Sequence, residues 1–243
     1  MALTSTLLIS GSEVTGAAGT YTVSTTFTTS SRNSIVLIIL GSNRNNLFTT
    51  ATMTIFDGYT ANAVTVPTLS TATNPGTVTN AYYQVAYYTQ SPGRCIDNKL
   101  RVVVDGGNAF QYQVWEIAGA TGRVGYIAGV STSATGAITS TVTSASLTTG
   151  DMAVGFISKN VNIVTTSDTD TVNGSWSTIV QTSQANLNSN IAMQRKIVTG
   201  AGTQTFNLGF ASSNYLTGIL TFRENTAAAW SGGRFSIVNI GGK

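Results

Sequence analysis

The sequence predicts an all-β fold: a two-sheet antiparallel β-sandwich of jelly-roll (double Greek key) type, carrying extensions at both ends. Three observations predict it. Val, Ile, Thr, Tyr and Phe recur in short runs broken by Gly, Asn, Ser and Pro, which is strand-and-turn chemistry. No window of helical length has a 3.6-residue apolar period, and the one helix-like scrap is 225–230. The candidate strands also fall into two similar series, as two Greek keys would require.

Along the chain, residues 1–20 are light in strand pattern and read as an N-terminal extension. Residues 21–224 read as the sandwich domain. Its first series of strands is 34–40, 52–56, 82–89, 100–104 and 110–117, and its second is 152–158, 176–181, 191–198, 203–210 and 215–222. The run Ile35-Val-Leu-Ile-Ile-Leu40 is too short to span a bilayer and reads as a strand buried on both faces. Each series ends in a strong strand with a carboxylate, Glu116 or Glu224. Two small separate sandwiches are the competing architecture. One interlocked domain is preferred, because five short strands bury too little surface to stand alone. Residues 225–243 read as a last strand or as an arm, with Ser231-Gly-Gly233 as hinge and Phe235, Ile237 and Ile240 as apolar anchors for a neighbouring subunit.

Composition narrows the function. Of 243 residues, 42% are apolar, enough for a large core, while only 9% are charged, against roughly 25% in ordinary soluble domains. So little charge gives weak protection against self-association and points to a life in an assembly. The net charge is +3. The basic residues are scattered, so nucleic-acid binding is not expected. The pairs Lys99/Arg101 and Arg195/Lys196 read as solvated strand edges. One cysteine, Cys95, allows no intrachain disulfide and fits a reducing cytosol. The opening residues lack the basic segment and long apolar run of a secretory signal, and no membrane association is expected.

The chain has no histidine. That removes Ser-His-Asp and Cys-His nucleophile systems, histidine metal sites and the commonest general base. Nine carboxylates remain. A glycosidase needs only two, about 5–10 Å apart. Four of the nine sit in turn sequences (FDGY, CIDN, VDGG, TGDM), where Asp serves the backbone. Glu116, beside Trp115, is the best strand-borne acid, with a strand-end carboxylate facing water as the plainer reading. Asp168-Thr-Asp170-Thr-Val-Asn-Gly174 is like part of a calcium loop but lacks the full ligand series, and reads as a flexible polar turn. No enzyme, metal or cofactor is expected. Strand alternation puts Tyr83, Val85 and Tyr87 on a core face and Tyr82, Gln84 and Tyr88 on the other, an aromatic surface for a subunit or a glycan. Trp115 and Trp176 read as sandwich core, and Trp230 as a contact between subunits.

LRVVVDGGNAFQYQVWEIAGA, LTTGDMAVGFIS and KIVTGAGTQTFNLGFASSNYLTGILTFRE are similar to strands in jelly-roll virion structural proteins of tailed bacteriophages. In that pattern a GD turn enters an apolar strand, TGAGT enters a β-hairpin, and a final strand closes in FRE. The resemblance covers about residues 34–224 and not the two extensions. It implies a capsid decoration (cement) protein that stabilises the shell by binding between capsid subunits. Its partners would be the major capsid protein and further copies of itself, arranged as a trimer. It would be located in the virion and assembled in the host cytoplasm. The alternative is a tail-fibre or receptor-binding module for host glycans. A carboxylate glycoside hydrolase built around Glu116 ranks third, since a fold alone licenses no activity.

Overall fold

A computed structural model of the chain describes residues 2–30, 34–42, 53–56, 63–66, 68–72, 82–89, 97–104, 108–131, 138–144, 146–159, 166–184, 189–210 and 215–224. Among the described residues there is no helix. The first half of the chain gives β1 (Thr4–Thr15), β2 (Gly19–Phe27), β3 (Ile35–Ser42), β4 (Met53–Phe56), β5 (Ala63–Val66), β6 (Thr68–Ala72), β7 (Tyr82–Thr89), β8 (Asn98–Val104) and β9 (Asn108–Ala118). The second half gives β10 (Ala120–Ser131), β11 (Ile138–Thr143), β12 (Met152–Lys159), β13 (Val180–Gln184), β14 (Ser189–Ile197), β15 (Thr205–Phe210) and β16 (Tyr215–Glu224).

These strands form four sheets, and every paired neighbour runs antiparallel. A first inner sheet has the order β1-β9-β3-β7-β6, and a first outer sheet the order β2-β8-β4-β5. A second inner sheet has the order β10-β16-β12-β14-β13, and a second outer sheet pairs β11 with β15. The layers run outer, inner, inner, outer, with an apolar core in each of the three gaps.

Strand alternation explains how one strand serves two cores. In β3, Val36, Ile38 and Leu40 join Val23, Leu100, Val102 and Phe110 in the first core. Ile35, Leu37 and Ile39 point the other way, into a middle core with Trp115, Met152, Phe156 and Phe222. All eight residues of β3 are buried, as the unbroken apolar run predicts. In the second half, Met152, Val154 and Phe156 of β12 enter the middle core. Ala153 and Ile157 of β12 enter a third core with Trp176, Phe206 and Leu208. Full burial of each large aliphatic or aromatic side chain contributes about 1.5–3 kcal/mol, so each gap carries a substantial share of the stability.

Several expectations are corrected. Residues 1–20 are no extension, because β1 is the edge strand of the first inner sheet and β2 opens the first outer sheet. The pairing of β1 with β9 shifts between Leu7 and Ile9. This bulge turns Ile9 into the first core, whereas Leu3 and Leu7 face the middle core. The irregularity hides the two-residue period in the sequence. The expected pair of sheets is four, because each half of the chain builds its own inner and outer sheet. The TGAGT segment joins β14 to β15 across two sheets and is not a hairpin. Strand 176–181 reduces to a bridge from Trp176 to Lys196 followed by β13. Residues 225–243, read as a last strand or an arm, lie outside the described residues.

Candidate functional site

The turn aspartates hold the backbone. Asp151 is buried and accepts from the Thr148 N–H (3.0 Å) and hydroxyl (3.0 Å), fastening the TGD turn before β12. Asp97 sits at φ 53° just ahead of β8, and its N–H donates to the Thr28 hydroxyl. Asp57 and Asp105 lie outside the described residues.

Segment 166–179 gathers two aspartates with a buried glutamine and a buried lysine. It covers the flank of the third core, bridging from Thr166 to Gly209 and from Trp176 to Lys196. Asp168 is buried. Its carboxylate accepts the Asp170 N–H (2.8 Å) and the Asn207 N–H (2.7 Å), which ties the segment to β15. The Gln194 side chain on β14 accepts from the Asp168 N–H and donates to the Asp168 and Ser177 carbonyls. Asp170 accepts the Val172 N–H through one oxygen and the Lys196 ammonium through the other, at 2.9 and 2.8 Å. The turn is therefore pinned at both ends, in contrast to the flexible turn expected.

Lys196 is completely buried and lies in the middle of the second half, not at a solvated edge. Its ammonium donates to Asp170 (2.8 Å) and to the Val172 carbonyl (2.7 Å), and stands 5.4 Å from the Trp176 ring centroid. The resemblance to part of a calcium loop has a physical basis here. Carboxylate and carbonyl oxygens converge on one cation, and that cation is a tethered lysine. The Lys196 hydrogen bond is the leading cause that holds the Asp170 carboxyl below its usual range. Beside this pair opens a cavity of about 260 Å³, lined by Asp170, Val172, Thr203, Gln204 and Thr205. Its lining is hydrogen-bonding, with Val172 exposed at the rim. Among the described residues no group of three or more His, Cys, Asp or Glu side chains could hold a metal ion.

Arg195, the neighbour of Lys196, points to the opposite face of β14. Its guanidinium lies 5.9 Å from the Trp115 ring centroid, and burial lowers its pKa. Lys99 and Arg101 are half-buried on β8, which lies between β2 and β4 and is also not an edge. Glu116 does not face water. It is 2% exposed and accepts the Ser30 N–H (3.0 Å) and hydroxyl (2.9 Å), fixing the end of the β2–β3 connection. A second acid, Glu13, is raised by burial, and Tyr112 is raised by burial and by the Glu13 charge.

Of the predicted interface residues, Tyr82 and Tyr88 fall among the described residues. Tyr82 and Tyr88 lie on β7, between β3 and β6, in a sheet that is an inner layer. The register sets them opposite Ser42 and Val36, both buried. Trp230, Phe235, Ile237 and Ile240 lie outside the described residues. Trp115 and Trp176 are buried as expected, Trp115 in the middle core and Trp176 in the third.

Sequence reasoning missed the Asp170–Lys196 pair. In IAMQRKI, Ala192, Gln194 and Lys196 share one face and Ile191, Met193 and Arg195 the other. Each face mixes apolar and polar residues, so the period gave no side to the charge. Among the described residues no helix is long and apolar enough to cross a membrane. No family model, no curated protein and no solved structure matches the chain.

Proposed function

We propose that the chain is a virion structural protein, a capsid decoration or cement protein that binds between capsid subunits, and that each half is a jelly roll. The observation that carries this reading is the strand order. The first half sets its first, ninth, third and seventh strands beside one another and faces them with its second, eighth, fourth and fifth. Two nested Greek keys produce that order, and jelly rolls recur in viral capsid and lectin domains. The buried acids support a structural role, since Glu116, Asp151 and Asp168 are occupied by backbone groups. The mechanism is mechanical. A stiff slab with three cores seats over a subunit junction, and many copies make modest contacts cumulative. Its partners are the major capsid protein and its own copies, as a trimer at local three-fold positions. Purified particles lacking the chain should lose resistance to heat or chelator while keeping their tails. Particles of unchanged resistance would remove the reading.

A second reading, a tail-fibre or receptor-binding module for host glycans, is favoured by the cavity beside Asp170. Its threonine, glutamine and carboxylate groups suit sugar hydroxyls. A glycan array compares the native chain with Thr203→Ala and with Tyr82→Ala/Tyr88→Ala. An array without signal would drop it.

A further inference from the structure

The two halves repeat one topology. The order β1-β9-β3-β7-β6 becomes β10-β16-β12-β14-β13, and the pair β2-β8 becomes β11-β15. Each strand in the second set is the counterpart, in chain order, of one in the first. The match continues at the level of residues. In the first inner sheet Ile35 pairs with Ile117, and Leu37 with Trp115. In the second, Met152 pairs with Phe222, and Val154 with Leu220. All eight side chains lie in the middle core. The same face of the same sheet is therefore used twice, against itself.

Two copies of one sheet bring the same face together only through a half-turn about an axis lying between them. Contacts between the inner sheets obey that rule. β3 meets β14 and β7 meets β12; β9 meets β14 and β7 meets β16; β3 and β12 meet each other. Such reciprocity, in which i touches j and j touches i, is the mark of an isologous interface. β13 contacts β1 and β9 more extensively than β6 contacts their counterparts β10 and β16, so the symmetry is approximate.

We infer that the middle core is an isologous dimer interface enclosed within one chain: two copies of a single sandwich unit, each the fitting partner of a second copy, joined at Gly119. The joint suits this. β9 ends at Ala118 and β10 begins at Ala120, so the chain crosses between the inner sheets in one residue, Gly119, at φ 81°. The half-turn maps that crossing onto one from the end of β16 to the start of β1. Leu3, just ahead of β1, is buried in the same core as Ala120, as the symmetry demands. The inference is independent of the virion and glycan readings.

Circular permutation tests it. One permutant begins at Ala120, runs to Glu224, continues through a short glycine linker to Ala2 and ends at Ala118. A second keeps 225–243 as the connection. Both are expected to fold as the native chain does and to melt within about 4 °C of it, the shift that roughly 1 kcal/mol gives at this size. An unfolded short-linker permutant overturns the inference, whether or not the long-linker form folds. A protease site inserted at Gly119 of the intact chain gives a second measurement. After cleavage the two fragments should elute together, and elution apart also overturns it.

Discussion

Lys196 carries a positive charge into a place shut off from bulk solvent, and its surroundings decide what that costs. The side chain is 0% exposed, whereas that of its partner Asp170 is 35% exposed. The two members of the pair are therefore not equivalent. Asp170→Asn leaves the ammonium buried with the Val172 carbonyl as its remaining strong acceptor, a loss of about 3–5 kcal/mol. Lys196→Met leaves a carboxylate that water can reach, and the loss falls to about 1–2 kcal/mol. Urea unfolding of both variants checks the order, and the reverse order would refute the account. The pH dependence follows from the lowered Asp170 pKa. Its contribution is fully present above the unfolded value of 3.8 and is lost as pH falls through the lower folded value. The gap between the native chain and Asp170→Asn should thus close below pH 3.8. The backbone role of the turn aspartates was legible in TGDM, because a short carboxylate beside Gly accepts nearby N–H groups wherever it sits. The burial of Lys196 was not, since it depends on a loop far off in sequence folding over it.

At the scale of the element, glycine sets how closely two sheets approach. Gly155 lies in the middle of β12, on the face that carries Ala153 and Ile157 into the third core. A Cβ added there would run into the Phe206 ring. That ring also packs on Trp176 at 5.0 Å between centroids, tilted by 55°. Gly155→Ala should therefore force the second outer sheet outward, with an overpacking cost of about 1–3 kcal/mol. Phe206→Leu in the same chain should recover part of it, and a double-mutant cycle by chemical denaturation measures the coupling. Additive losses would mean that the ring is not the obstacle. The strands themselves were readable: 34–40, 82–89, 100–104, 110–117, 152–158 and 215–222 all overlap observed strands. Their period of two is a local property. β1 escaped because a bulge breaks that period, and β10 because TGRVGYIAG is diluted by glycine.

For the whole molecule, the consequence of four layers is cooperativity. The inner sheets share an apolar core built on Leu37, Trp115, Phe156 and Phe222. Neither half can unfold without exposing that face of its partner. One thermal transition is expected, with calorimetric and van't Hoff enthalpies equal. Two resolved transitions would show instead that the halves are stable apart. The doubled topology was faintly visible as two series of strands. Four of the five matched pairs are true counterparts, and the fifth set β4 of an outer sheet against segment 176–181.

By itself the sequence determined that the chain makes antiparallel strands, that its core is large and that its surface is poor in charge, because residue chemistry and a two-residue period fix these without reference to distant parts. Only the tertiary structure decided which face of each sheet meets which. A strand such as Ile35–Leu40, apolar on both sides, is equally suited to either neighbour, and the choice is made by packing two sheets against one another.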